Sequence, residues 1–190
     1  MNFKADFTMV GTADYAPTPD RFDRISRTLH WATVLLFTFQ LVTAYLPHEG
    51  GGARILLALH RSAGVLTLAV VLFRVTWRLG FAGAPPFPQS MPVAQRWAAR
   101  ANEGGLYVLL AIQPLTGLAD GVFHGRPFVL FGLAVPALMP FDRGLFHLSG
   151  ELHELGAKLL LALVALHVGA ALLHGFVWRD GVLQRMWPKA

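Results

Sequence analysis

Eight histidines stand in a chain of 190 residues that holds few other groups able to do chemistry, and no cysteine accompanies them. Without thiols, disulfides, thiolate zinc sites, iron–sulfur clusters and haem attached through Cys-x-x-Cys-His are excluded. His48, His124 and His147 fall in or beside connecting segments, where the default for a polar side chain is contact with water or the interface. The other five, His30, His60, His153, His167 and His174, lie within or at the ends of long apolar runs. Ionisable groups in such runs are costly and mark functional sites. Fourteen residues separate His153 from His167, which at ~100° and ~1.5 Å per residue puts them within ~40° of one helix face and ~21 Å apart. His174 continues that face. His60 matches His153 in depth, and His30 matches His167. Two depth-matched pairs exceed what isolated helix–helix hydrogen bonds require. Zinc needs a third or fourth ligand at each pair, and Glu151 and Glu154 accompany one pair only. Haem iron needs two axial ligands, and imidazole supplies both. Gly64 after His60 and Gly156 after His153 leave room for a flat macrocycle, although small residues also serve plain helix packing.

The elements that carry these histidines follow from hydropathy. Apolar and aromatic residues make up 54% of the chain, charged residues 14%, and the mean hydropathy is +0.48. Disorder, coiled coil and collagen are excluded, and a water-soluble enzyme is disfavoured because charge cannot cover its surface. Apolar runs over Leu29–Leu46, Ile55–Leu79, Gly104–Phe123 and Glu151–Trp178 predict four membrane spans, with Pro114 as a kink in the third. The fold class is therefore all-α: an integral membrane four-helix bundle with two haems b between the helices. Residues 1–28 form an N-terminal tail, 29–178 the four-span domain and 179–190 a C-terminal tail. The tail 1–28 shows no cleavable signal pattern. Val93–Asn102 reads as a separate amphipathic surface helix. Pro127–Pro140, apolar but short and broken by proline, reads as a re-entrant or interfacial segment.

Four spans put both termini on one side. That side carries Lys4, Arg21, Arg24, Arg27, Arg74, Arg78, Arg96, Arg100, Arg179, Arg185 and Lys189, against Arg54, Arg61, Arg126 and Arg143 on the other. The bias predicts cytoplasmic termini. The net charge of +5 is thus a topology signal, and its scatter over loops argues against a nucleic-acid partner. Arg74, Arg61 and Lys158 are candidates for haem propionates; for Lys158, snorkelling to headgroups competes.

Together Leu29-His30-Trp31, His60 with Gly64, Leu152-His153-Glu154 and Leu166-His167 resemble the bacterial cytochrome b561 family of dihaem membrane proteins. So do the run from Leu173-His174 to Trp178-Arg179-Asp180, the segment Gln184 to Pro188, and Gly125-Arg126-Pro127 through Leu133. The resemblance covers about Arg24 to Pro188. It implies that His30 and His167 ligate one non-covalent haem b on the cytoplasmic side, and that His60 and His153 ligate another on the periplasmic side. It further implies a multi-pass protein of the bacterial inner membrane acting as a superoxide oxidase, with ubiquinone as electron acceptor.

Bis-histidine iron has no open position, which favours electron transfer over ligand binding. Superoxide is an anion, so Arg54, Arg126 and Arg143, with Arg61, are candidates to steer it. His174, Trp178 and Arg27 are candidates for a quinone site; for His174, a propionate contact or interfacial position competes. An alternative is a haem b anchor subunit linking a dehydrogenase or hydrogenase partner to the quinone pool. A third reading is a histidine proton relay in a small transporter or structural bundle.

Overall fold

The structure, a computed structural model, describes residues 20–46 and 52–187. His48 and the tail residues Lys4 and Lys189 lie outside the described residues. Four long helices run in chain order: α1 (Arg24–Tyr45), α2 (Gly52–Gly80), α3 (Val93–Phe123) and α4 (Arg143–Leu172). A short hairpin, β1 (Phe128–Leu130) and β2 (Leu133–Val135), lies between α3 and α4.

Each helix starts or stops for a local reason. Asp23 caps α1, its carboxylate accepting from Ser26 N at 2.9 Å and from Trp77 Nε1 on α2 at 3.1 Å. Partial burial works to raise the pKa of Asp23, but the bonds from Ser26 and Trp77 outweigh it and hold the carboxyl below its ordinary range. Asp142 caps α4 in the same way through Leu145 N at 2.9 Å. Consecutive helices pack on one another, α1 on α2, α2 on α3 and α3 on α4, whereas α1 and α4 share no comparable backbone seam. The Asp23–Trp77 bond sets the start of α1 beside the end of α2, so these helices run antiparallel. Val71, Leu110 and Leu160 form the buried core midway along the bundle, flanked by Phe37, Val75 and Val164. Large apolar residues such as Leu35, Leu72, Leu115, Leu159 and Leu166 stay exposed around the helices. A surface of that kind suits lipid.

By length and composition, α2, α3 and Arg143–Trp178 are able to cross a membrane; α1 falls short among the described residues. Its 22 residues include His30, Gln40 and four threonines. Three of those hydroxyls donate back to carbonyls one turn earlier (Thr33 to Leu29 at 2.7 Å, Thr38 to Val34 at 2.9 Å, Thr43 to Phe39 at 2.9 Å), which lowers the cost of placing them in an apolar medium.

Other boundaries depart from the sequence expectation. The surface helix over Val93–Asn102 and the third run are one continuous helix, α3. Gly104 and Gly105 do not break it, since Asn102 donates to Leu163 O at 3.1 Å and a Cβ at Gly105 would lie 2.8 Å from Leu163 Cδ1. The glycine is there for close helix packing. The fourth helix begins eight residues before Glu151, at Arg143, so His147 is helical rather than in a loop. Pro127–Pro140 contains the hairpin, with Phe128 opposite Val135. Its turn residues Phe131 (φ 51°) and Gly132 (φ 79°) both take positive φ, as a two-residue hairpin turn of this twist demands. Phe131 N donates to Ser62 Oγ at 2.8 Å and Arg61 lies over the Phe128 ring, which ties the hairpin to α2. After Leu172 the last helix widens into π turns over Leu173–Trp178 and stops at Arg179 in a left-handed conformation.

Candidate functional site

The bundle brings the four expected histidines together as two pairs. His60 on α2 faces His153 on α4 with ring centroids 6.2 Å apart, and His30 on α1 faces His167 on α4 at the same separation. Two imidazoles bound to one metal at about 2 Å each place their ring centres about 6 Å apart, so both spacings suit a shared axial ion. Among the described residues no three of His, Asp and Glu converge, so neither pair has a third protein ligand. That donor set suits a haem, whose macrocycle fills the equatorial positions.

The His60–His153 pair, outer in the topology expected from the sequence as His30–His167 is inner, lies on a cavity of about 400 Å³ lined from all four helices, including Gln40, Thr43, Arg61, Gln113 and Asp120. This volume lies in the range of cofactor sites, about 300–1,000 Å³. His153 Nδ1 donates to the Gln113 carbonyl at 3.0 Å and to Thr116 Oγ1 at 3.1 Å. A carbonyl can only accept, so the ring proton sits on Nδ1 and the Nε2 lone pair is the one offered to a metal. His60 Nδ1 meets Thr43 Oγ1 at 3.0 Å and, with the Gln40 amide oriented to suit its neighbours, accepts from the Gln40 nitrogen at 2.8 Å; that arrangement puts the His60 ring proton on Nε2, so ligation through Nε2 requires the Gln40 amide to turn.

Clearance for the His153 ring comes from a glycine the sequence reading missed. A Cβ at Gly117 would lie 2.9 Å from His153 Cε1. Gly64 and Gly156, expected to leave room for a flat macrocycle, pack instead against the side chains of Gln40 and Gln113.

At the inner pair, Arg74 Nη2 donates to His30 Nδ1 at 3.2 Å and the guanidinium lies over the Tyr107 ring. The spacing therefore suits a metal, but the His30 tautomer shown keeps its proton on Nε2; ligation there requires Arg74 to release the ring. Of the propionate candidates, Arg74 thus sits at the inner pair and Arg61 at the outer cavity. Lys158 does not line the cavity: it pairs with Glu154 at 2.6 Å, both side chains well exposed. One helical turn brings these charges together on the outer face of α4.

The quinone-site candidates divide between two places. His174 is 6% exposed, bonded through Nδ1 to Asp180 at 2.5 Å, near Gln95 Nε2 at 3.4 Å, with Trp178 edge-on to its ring. Arg27 belongs elsewhere, donating to Trp187 O at 3.2 Å beside Trp31, whose indole donates to Met186 O at 2.9 Å. Arg54, Arg126 and Arg143 are exposed at the outer end, with Arg61 the member of that group on the cavity wall. His124 packs edge-on to Phe146 and Phe141 at the end of α3, and His147 is exposed on α4.

Sequence reasoning also missed Gln113, Thr116 and Asp120. Their signal was legible: with Gly117 they form a stripe of polar and small residues at helical spacing on an otherwise apolar α3. Asp180 gave no such signal, because its reach to His174 depends on the π turn.

Residues 21–189 match the family described as prokaryotic cytochrome b561. Cytochrome b561 homolog 2 of Escherichia coli (strain K12) is 30% identical over 181 residues, 93% of this chain and 96% of the relative. Cytochrome b561 homolog 1 of the same strain is 25% identical over 174 residues, 90% and 98% of the two chains. A probable superoxide oxidase CybB of Yersinia pestis is 29% identical over 131 residues, 69% of this chain and 74% of that one. With the family matched along nearly the whole described bundle, the chain belongs to the prokaryotic cytochrome b561 family, helical membrane proteins of the bacterial inner membrane that bind haem b and transfer electrons.

Proposed function

We propose that this protein is a superoxide:ubiquinone oxidoreductase with two haems b, one held by His60 and His153 and one by His30 and His167. The observation that carries the reading is the pair of imidazole couples at one spacing and two depths. In this reading α1 crosses the membrane with the other three helices, its 22 residues being long enough at ~1.5 Å each, and both termini are cytoplasmic. Bound haem supplies a one-electron couple at each depth. In the overall reaction two superoxide anions each lose one electron and leave as dioxygen, while ubiquinone gains two electrons and two protons to become quinol.

The protein's own groups have distinct tasks. Arg54, Arg126 and Arg143 raise the encounter rate of an anion at the outer end. Arg61 and Arg74 are cations placed for propionates at the outer and inner levels. His174, oriented by Asp180, is a proton donor for quinone, with Trp178 as an apolar wall. The relative named as a probable superoxide oxidase supports this direction of transfer.

A pyridine haemochrome assay tests the cofactor assignment, with two haems b per chain expected; one or none would refute it. Gly117→Val should lose the haem at the outer pair and keep the inner one, because its Cβ alone falls 2.9 Å from His153 Cε1. Low-temperature spectra of the purified variant check this. Converting Arg126 and Arg143 to Gln should slow the reaction with superoxide roughly tenfold at low salt, with the gap closing at about 1 M salt. Stopped-flow reduction at two ionic strengths measures both effects.

A further inference from the structure

The two halves of the bundle are related in sequence. Laid on α3 so that Gln40 meets Gln113, α1 also matches at Arg27 and Arg100, at Leu36 and Leu109, and at Thr43 and Thr116. Laid on α4 so that Leu59-His60 meets Leu152-His153, α2 also matches Leu68-Ala69 to Leu161-Ala162, Val71 to Val164 and Val75 to Val168. One helical hairpin is thus present twice, and helices two apart in the chain run parallel, as in repeats related by an axis along the bundle.

The contacts repeat with the sequence. Thr43 Oγ1 lies 3.0 Å from His60 Nδ1, and Thr116 Oγ1 lies 3.1 Å from His153 Nδ1. Each hydroxyl donates back within its own helix, Thr43 to the Phe39 carbonyl at 2.9 Å and Thr116 to the Gln113 carbonyl at 2.9 Å, which leaves its oxygen able to accept. The amides match as well: the Gln40 nitrogen reaches the His60 carbonyl at 3.2 Å, and that of Gln113 donates to the His153 carbonyl at 2.9 Å. At the other pair the repeat fails, because the counterpart of His30 is Glu103 and that of His167 is Arg74.

We infer that the His60–His153 site is one Gln-x-x-Thr and His unit used twice, with Thr43 and Thr116 as equivalent positioning residues that each accept the Nδ1 proton of a ligand and so turn its Nε2 to the metal. The inference rests on the haem ligation proposed above. At His153 the arrangement is in place, since Nδ1 also donates to the Gln113 carbonyl at 3.0 Å. At His60 it forms once the Gln40 amide turns; the ring keeps one proton, moved from Nε2 to Nδ1. An imidazole that donates to oxygen is a more basic ligand and favours the oxidised metal. Both threonines therefore act on the same haem and in the same sense.

Potentiometric titration of the purified holoprotein, followed by its visible spectrum, tests this on the haem that His153→Ala lacks. Thr43→Val and Thr116→Val, which keep the side-chain shape, should each raise the midpoint of that haem and leave the other in place. A tenfold change in the partition between oxidised and reduced forms, the size expected of each, reads as about 59 mV for a one-electron couple. Thr43→Ser and Thr116→Ser should restore the wild-type value, which a packing role alone would not produce. If only one valine variant moves that midpoint, or the two move different haems or shift it in opposite directions, the equivalence fails while the ligand assignment stands. Loss of that haem from one valine variant alone has the same meaning. Should both lose it, Thr43→Ala and Thr116→Ala carry the same test. Should the wild type bind fewer than two haems, the ligand assignment itself fails.

Discussion

Replacing His153 by alanine is expected to leave one haem b per chain, and His60→Ala is expected to give the same product. His167→Ala and His30→Ala should instead remove the other haem and leave the outer one. The expectation follows from the two-ligand donor set. With no third protein ligand among the described residues, loss of one imidazole halves the axial coordination. At His153 it also takes the imidazole N–H from the Gln113 carbonyl and Thr116, which keep only their bond to each other within the site. The pairs lie ~21 Å apart along α4, so each should respond alone. Haem content per chain, with the spectra of the residual haem, checks this. Loss of both haems with any one substitution, or of neither, contradicts the pairing.

The second large effect belongs to the inner end. His174→Ala is expected to cut quinol formation by about 10²-fold, the usual weight of one positioned proton donor, while both haems remain bound. The ring is buried, its Nδ1 held by Asp180 at 2.5 Å and its Nε2 directed toward Gln95. The Gln95 amide nitrogen can only donate, so Nε2 accepts and the ring proton lies on Nδ1 toward Asp180; proton exchange with quinone requires the long Gln95 contact to open. Asp180→Asn should cost less, because an amide oxygen in the same place still accepts from Nδ1 and holds the ring. Steady-state quinol formation, compared with haem reduction by superoxide in the same samples, separates proton delivery from electron entry. Equal losses in both would contradict the assignment.

Much of this site was legible in the residues because its logic is helical. Fourteen-residue spacing on α4 and matched depths on α1 and α2 predicted pairs that the structure brings to 6.2 Å. Hydropathy located all four helices, although α1, with its threonines, His30 and Gln40, is less apolar than the three that are able to cross a bilayer. It misplaced their ends. Asp142 starts α4 before Glu151 because a cap acts through one side chain, whatever the hydropathy around it. Val93–Asn102 read as a separate helix and proved continuous with the run from Gly104, Gly105 lying where α3 packs closely on Leu163. What escaped was tertiary. Lys158 shares depth with the outer pair but points away from the cavity to Glu154. The widened turn after Leu172 decides that Asp180, rather than Arg27, meets His174. Such turns leave no periodic trace, because they are a departure from the period itself.

Purified protein, given ubiquinone and an enzymatic source of superoxide, provides the decisive reading through the rate of quinol formation. The account predicts one quinol for every two superoxide anions consumed, and abolition of the reaction by superoxide dismutase. Quinol formation at the same rate with and without the superoxide source would contradict it.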